Sequence, residues 1–141
     1  MHYDTTERDP RTGGLLRTVP EGEASSVRLG NWLTGGSNGP QGESLTYALN
    51  VDSGDVDLLI LQYAAVLQDA EHSSTLQPRF RLEILNASGM LIDSCGMADF
   101  IANANLGWNQ AANDVPWKDW TTVGLDLTPY AGQTILIRPT T

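Results

Sequence analysis

Four stretches of the chain alternate between apolar and polar residues, which is the period of a β-strand with one buried face. They are residues 25–31 (SSVRLGN), 43–51 (ESLTYALNV), 120–127 (WTTVGLDL) and 133–138 (QTILIR). The apolar positions of each stretch share one face, so we expect that face to point into a core. The residues expected to be buried in this way include Leu45, Tyr47, Leu49, Val51, Leu125 and Ile135.

Two longer segments predict three more strands. Residues 57–68 (DLLILQYAAVLQ) form the most apolar run of the chain and follow a turn-rich stretch, DSGD, at residues 52–55. The periodicity of this run also fits a helix, but its length and its β-rich surroundings favour a strand buried on both faces. Residues 78–95 predict a hairpin, because alternating segments flank an Asn-Ala-Ser-Gly turn at residues 86–89.

The other segments have the composition of loops. Glycine and proline are concentrated in residues 32–42, and residues 99–117 mix Asn, Ala and Gly, with one short strand expected near Phe100. Residues 1–24 lack an apolar period, so we expect an irregular arm there and one domain over residues 25–141. Seven or eight short strands without an amphipathic helix predict an all-β protein, a jelly-roll-like antiparallel β-sandwich.

The charge balance of the chain excludes some partners. The chain carries 17 acidic and 8 basic residues, and the net charge of −9 repels the phosphates of nucleic acids. No apolar run reaches the roughly 20 residues of a membrane-spanning helix, so membrane insertion is not expected. The polar, acidic start is not a signal peptide, so an export signal would lie on a longer precursor.

The single cysteine, Cys95, forms neither an internal disulfide nor a cysteine-based metal site. Two interpretations stay open. Cys95 is either a small, partly buried apolar side chain or one half of a disulfide whose partner lies in sequence beyond this chain.

Polar residues are concentrated between two predicted core strands, in residues 68–80 (QDAEHSSTLQPRF). Loops between strands often carry binding sites, so Gln68, Asp69, His72 and Arg79 are candidate ligand-binding residues. The alternative is a solvated crossover loop in which Asp69 caps a turn and Arg79 pairs with a carboxylate.

Three aspartates, Asp52, Asp55 and Asp57, lie within six residues of one another. Calcium takes several oxygen ligands at close range, so these residues are candidate Ca²⁺ ligands. The spacing is not that of an EF-hand loop, and ordinary turn chemistry explains the same residues.

The four tryptophans are predicted in or beside loops, and the hairpin pattern assigns Trp120 to the core. Trp32 and Trp108 lie among Gly and Asn residues. Sugars present C–H faces that stack on aromatic rings, and amides such as Asn109 bind hydroxyl groups. Trp32, Trp108 and Asn109 are therefore candidate carbohydrate-binding residues, with loop packing as the alternative.

No catalytic arrangement is recognisable. The chain lacks a Gly-x-Ser-x-Gly elbow, its one cysteine has no dedicated base, and its Gly-rich segment lacks the Gly-Lys-Ser/Thr of a phosphate loop. Chance pairs among 17 acidic residues do not distinguish a glycosidase. We predict that the protein is not an enzyme, with a small hydrolase kept as an alternative.

The C-terminal run WTTVGLDLTPYAGQTILIR resembles the closing hairpin of extracellular jelly-roll domains related to MAM, galactose-binding and carbohydrate-binding modules. In this run Pro129 presets a turn, and Gly132 takes a backbone angle that other residues avoid. Together with SVRLGN, ESLTY and the segment from residue 63 to 95, it resembles a domain of large secreted or surface-anchored proteins of Bacteroidetes-type bacteria. The resemblance covers about residues 25–138.

This resemblance implies an extracellular or cell-surface location and a role in adhesion or glycan binding. Members of that group usually continue with a Cys-containing, Gly-rich segment, which would hold a partner for Cys95, whereas this chain ends at RPTT. We therefore expect a fragment or a compensating variant, in which a terminal strand is missing and the exposed sheet edge allows a homodimer. The expected function is non-catalytic recognition of a carbohydrate or cell-surface partner, and the alternative is a structural spacer or assembly domain.

Overall fold

The computed structural model describes residues 1–30, 41–54, 58–103 and 105–141, and residues 93–96 by their backbone alone. The chain is an all-β protein, an antiparallel β-sandwich of two sheets, which confirms the predicted fold class. The described strands are β1 (Tyr47–Asn50), β2 (Leu58–Val66), β3 (Arg79–Asn86), β4 (Leu91–Ile101), β5 (Asn109–Ala111), β6 (Val115–Asp126) and β7 (Thr134–Thr140). Two short 3₁₀ helices, Pro10–Thr12 and Thr128–Tyr130, complete the described elements.

The strands follow a nested order. One sheet has the order β1-β7-β3-β4 and the other has the order β2-β6-β5. Early strands therefore lie beside late ones, β1 next to β7 and β2 next to β6, which is an order of the kind found in jelly rolls. Among the described strands, β1 and β2 are edge strands of their sheets. No described helix is long and apolar enough to cross a membrane.

The chain divides into two compact units. Unit 1 comprises residues 1–28, 62–79 and 101–121, and unit 2 comprises residues 29–61, 80–100 and 122–141. Strands β2 and β6 contribute residues to both units.

Unit 2 contains an apolar core built from both sheets. Its buried side chains are Val51, Phe80, Leu82, Ile84, Leu85, Ala98, Leu125, Ile135 and Ile137. The consecutive residues Ile84 and Leu85 are both buried, so β3 is covered on both faces at this point, between β7 and β4. The sequence predicted burial on both faces for residues 57–68, which contain β2, and not for β3. That prediction was wrong for the start of β2, where Leu58 and Ile60 are 56% and 60% exposed. Exposed and half-buried residues alternate there, because one face of this part of the strand is open to solvent.

Unit 1 includes the N-terminal residues, which hold buried side chains of their own. Leu16, Val19 and Thr12 are buried. Asp9 caps the first 3₁₀ helix by accepting the backbone N–H of Arg11 over 2.7 Å, and Thr12 donates to the carbonyl oxygen of Asp9 over 2.8 Å. This segment is irregular, as expected, but its apolar residues are packed.

The predicted burial of residues 43–51 is only partly correct. Val51 is buried and Leu49 is half-buried, whereas Leu45 and Tyr47 are 42% and 58% exposed. The alternation itself is preserved, since Tyr47 pairs with the buried Ile137 of β7. Tyr47 remains exposed because β1 is an edge strand with a described neighbour on one side only.

Two other sequence predictions need correction. The described part of residues 25–31 contains one isolated bridge, between Ser26 and His2, and Val27 is 48% exposed, so no strand forms there. Residues 99–117 are less irregular than expected. They contain the end of β4, all of β5 and the start of β6.

Candidate functional site

The predicted ligand-binding residues that the structure describes all belong to unit 1. Gln68, Asp69 and His72 lie on the connection between β2 and β3, and Arg79 is the first residue of β3. Asn109 begins β5, and Trp108 directly precedes it. Trp32 lies outside the described residues.

Asp69 organises the connection between β2 and β3. Its Oδ1 accepts a hydrogen bond from Gln77 Nε2 over 2.5 Å and another from the backbone N–H of Glu71 over 3.0 Å. Gln77 in turn accepts the backbone N–H of Ala70 over 3.1 Å. Asp69 therefore has the turn-capping role that one of the two sequence interpretations gave it. The hydrogen bond between Asp69 and Gln77 joins residues eight positions apart and closes the loop between them.

A second contact joins this loop to the turn between β5 and β6. The backbone N–H of Asp69 donates to the carbonyl oxygen of Asp114 over 2.7 Å. Asn113 and Asp114 both have positive φ angles, of 62° and 54°, and Glu71 has a φ of 54°. Asn and Asp tolerate this left-handed region, whereas Glu rarely adopts it, so the Asp69 contacts offset the strain at Glu71.

The β5–β6 hairpin presents polar side chains at an edge. Like β2, β5 is an outer strand of the three-stranded sheet, and its register places Asn109 opposite Trp117 and Gln110 opposite Pro116. Asn109 and Gln110 are exposed, and the preceding Trp108 is half-exposed. Successive residues of a strand point to opposite faces, so Asn109 and Gln110 present their amides on the two sides of this edge, directly after the indole of Trp108.

The loop meets the hairpin at its turn. Asp69 contacts Asp114 there, whereas Trp108 precedes β5 at the opposite end of the hairpin. The hydrogen bonds of Asp69 therefore join the loop to the turn of the hairpin and not to the start of β5.

The other three candidate residues of this segment differ in exposure. His72 is exposed, Gln68 is half-buried, and Arg79 is exposed at the first position of β3. Gln77 and Asp114 shape the loop. Gln77 belongs to the polar segment that the sequence indicated, whereas Asp114 lies outside it. The signal for Asp114 was its place in an Asn-Asp pair, which is typical of turns.

Trp117 and Trp120 correct the prediction that all the tryptophans lie in or beside loops, because both are inside β6. Trp117 is 6% exposed, and its indole N–H has no hydrogen-bond partner among the described residues. Trp120 is half-buried and donates its indole N–H to the carbonyl oxygen of Arg17 over 2.8 Å. These two rings are parts of the packing of unit 1.

The predicted calcium ligands are only partly described. Asp52 is exposed, and its carboxylate accepts the backbone N–H of Gly54 over 2.8 Å, as in a turn. Asp55 and Asp57 lie outside the described residues. Within the described part of the chain, no group of three or more His, Cys, Asp or Glu residues is placed to hold a metal ion. Calcium binding stays a prediction, which a thermal melt with and without EDTA tests.

Three groups in the described chain have pKa values lowered by local hydrogen bonds. His2 Nδ1 lies 2.5 Å from Glu7 Oε2 and lowers the pKa of Glu7, and the Thr6 hydroxyl lowers that of Asp4. The Thr128 hydroxyl does the same to Asp126, whereas burial raises the pKa of Tyr63. None of these four groups belongs to the predicted ligand-binding residues.

No protein-family model matches this sequence, and neither a curated protein nor a solved structure is similar enough to match it. A function for the chain therefore has to be argued from the geometry above.

Proposed function

We propose that this chain is a non-catalytic binding module that recognises a glycan at the exposed edge formed by Trp108, Asn109 and Gln110. The observation that carries the proposal is a half-exposed indole directly before an edge strand, followed by two exposed amides on that strand. An indole face packs on the C–H groups of a sugar ring, and amides both donate to and accept from hydroxyl groups.

The hairpin supports the edge in a defined conformation. Three residue pairs fix the register of β5 against β6, and the turn at Asn113 and Asp114 is tied to Asp69. A surface that is ordered before binding loses little conformational entropy when a ligand binds. This is the advantage of a strand edge over a mobile loop.

The charge of the chain narrows the class of glycan. A net charge of −9 disfavours sulfated or sialylated sugars, so the proposed ligand is a neutral oligosaccharide. The proposed setting is the surface of a cell, within a larger protein, and this part rests on the sequence resemblance alone.

Titration with a panel of neutral and acidic soluble oligosaccharides tests the proposal, with tryptophan fluorescence and calorimetry as readouts. Trp108→Ala and Asn109→Ala are each expected to weaken binding by about tenfold, equivalent to about 1.4 kcal/mol. Gln133→Ala removes an exposed amide from unit 2 and is the matched control, expected to bind like the wild type. Binding that is unchanged in Trp108→Ala contradicts the proposed site.

A structural spacer or assembly domain is the second candidate. It is favoured by the packing of Trp117 and Trp120, which makes two of the tryptophans part of the fold rather than of a ligand platform. A folded wild-type chain that binds no oligosaccharide of any class would favour this second function over the first.

A further inference from the structure

We propose that strand β1 (Tyr47–Asn50) pairs with β1 of a second copy of this chain, antiparallel and centred on Ala48, so that the four-stranded sheets of two copies become continuous. This proposal concerns unit 2 only and is independent of the glycan site, which lies in unit 1.

The backbone N–H and C=O groups of β1 alternate between the side facing β7 and the opposite side. Leu45 N–H donates to the Pro139 carbonyl oxygen over 3.1 Å, and Val51 N–H donates to that of Gln133 over 2.9 Å. Odd-numbered residues of this segment therefore bond to the β7 side. In an antiparallel ladder the intervening residues direct their N–H and C=O groups the other way, which here means Thr46, Ala48 and Asn50. Among the described strands, β7 is the one neighbour of β1.

The sequence of this edge lacks the residues that often protect an edge from pairing. Native sheets guard many of their edges with charged residues or proline. Residues 44–51 (SLTYALNV) contain no charged residue, no proline and no glycine, and Thr46, Tyr47 and Val51 are of types that favour strands. Leu45 and Tyr47 on this edge are 42% and 58% exposed. An uncharged edge that has exposed apolar side chains, and a single neighbour among the described strands, is a surface suited to strand addition.

The segment is complementary to itself, which is why we assign a second copy as the occupant. With Ala48 on a two-fold axis, Thr46 lies opposite Asn50 of the second copy, and each such pair exchanges both of its N–H···O bonds. Tyr47 then lies beside Leu49 of the second copy, in the pair geometry with the closest side chains. The interface is isologous, as in most homodimers.

The same register avoids charge repulsion, although both copies are acidic. The nearest carboxylates in sequence are Glu43 and Asp52, which flank the uncharged segment. Centring on Ala48 places Asp52 opposite Ser44 of the second copy and Glu43 opposite Ser53. No two carboxylates face each other along the paired segment, so the net charge of −9 does not oppose this contact locally.

One added strand is a small interface, so the association is expected to be weak. Stable dimers bury well over about 1,000 Å², and a single edge contributes less, so we expect a Kd on the order of 100 μM. Sedimentation velocity across a range of concentrations measures it. The variant Ala48→Lys places two like charges on the axis and is expected to stay monomeric, since Ala48 is exposed and its replacement leaves the core intact.

The matched control is Ala112→Lys, which makes the same change at an exposed alanine of the β5–β6 turn. This control is expected to self-associate like the wild type. Circular dichroism and thermal melts of both variants separate loss of pairing from loss of folding. Self-association that is equal in Ala48→Lys and Ala112→Lys overturns the proposal, and so does a wild type that stays monomeric at about ten times the expected Kd.

A cysteine crosslink tests the register. Directly opposed residues of a hydrogen-bonded pair have Cα atoms about 5.5 Å apart, which a disulfide spans. In a Cys95→Ser background, Ala48→Cys is expected to form a covalent dimer on mild oxidation, and Ala112→Cys is expected to form much less. Equal crosslinking in the two variants contradicts pairing centred on Ala48.

Discussion

The indole N–H of Trp120 donates to the carbonyl oxygen of Arg17 over 2.8 Å, a contact between residues 103 positions apart in the chain. Trp120 lies inside β6, and Arg17 lies between the buried residues Leu16 and Val19. This single hydrogen bond therefore ties the N-terminal segment of unit 1 to a strand.

Trp120→Phe is expected to release that segment. The substitution keeps an aromatic ring but removes the hydrogen bond, so unfolding should become easier by about 1 kcal/mol. Limited digestion with trypsin should then cut after Arg17 more quickly than in the wild type. Trp117→Phe makes the same change at a more deeply buried ring whose N–H has no partner among the described residues, so it reports the loss of packing without the loss of a hydrogen bond. An equal rate of cleavage after Arg17 in wild type and Trp120→Phe would contradict this role.

Gly132→Ala is expected to destabilise the turn that leads into β7. Gly132 has a φ of 73°, a region that costs an L-residue roughly 1–2 kcal/mol, and its N–H donates to the Val51 carbonyl oxygen. Urea unfolding measures the loss. Gly54→Ala is the control, since a Cβ there meets its nearest atom, Asp52 Oδ1, at an ordinary 3.5 Å and the φ of Gly54 is not positive. We expect Gly54→Ala to stay within about 0.5 kcal/mol of the wild type.

Glu83→Gln is expected to weaken a line of charges across the four-stranded sheet. Arg138 on β7 donates to Glu83 Oε2 on β3 through Nη2 at 3.1 Å and Nε at 3.3 Å, and Arg81 Nη1 lies 3.5 Å from Oε1. The Glu83 side chain is only 13% exposed, so we expect a loss of about 1 kcal/mol. The difference in unfolding free energy between the wild type and Glu83→Gln should be smaller in about 1 M salt than in low salt, because salt screens the charges. Asp99→Asn, which removes one contact of 3.4 Å to Arg81, should cost less.

The lowered pKa of Asp126 predicts that the stability of the fold depends on pH. The Thr128 hydroxyl and the Thr128 backbone N–H hold the pKa of Asp126 below the ordinary value of an aspartate. Because the pKa of Asp126 is lower in the folded state, its carboxylate stabilises the fold at pH values above the pKa of the unfolded state. This stabilisation is lost as the pH falls through the pKa of the folded state. Asp126→Asn should therefore flatten the change in stability below about pH 4.

Thr128→Val supplies the matched test of this mechanism. It removes the hydroxyl and keeps the backbone N–H, so the pKa of Asp126 should move back towards its usual value. NMR titration of the carboxyl carbon reports the pKa directly. An unchanged pKa in Thr128→Val would show that the hydroxyl has no part in lowering it.

The locally encoded features were predictable from the sequence. The turn at residues 86–89 forms as expected, because Asn86 Oδ1 accepts the N–H groups of Ser88 and Met90 and Gly89 has a φ of 79°. The left-handed conformation at Gly132 was predicted for the same reason. Turn residues act on neighbours two to four positions away, so their effect does not depend on the rest of the fold.

The candidate site was predictable only in part. Asp69 was a candidate, and its hydrogen bond to Glu71 fits the turn-capping role that one of the two interpretations gave it, while ligand binding there stays a prediction. Its contact with Asp114 and the position of Trp108 at the opposite end of the hairpin were not foreseen. Both depend on how β5 pairs with β6, and the spacing of residues in the sequence does not reveal that pairing.

Alternation of apolar and polar residues was enough to determine the fold class, because a period of two specifies strands whichever way they are later arranged. Burial was decided by the tertiary structure. Tyr47 and Ile137 sit opposite each other in register, yet the first is largely exposed and the second is 5% exposed. The difference arises because β7 has strands on both sides while β1 lies at an edge, and sheet order is set by contacts between residues far apart in the chain.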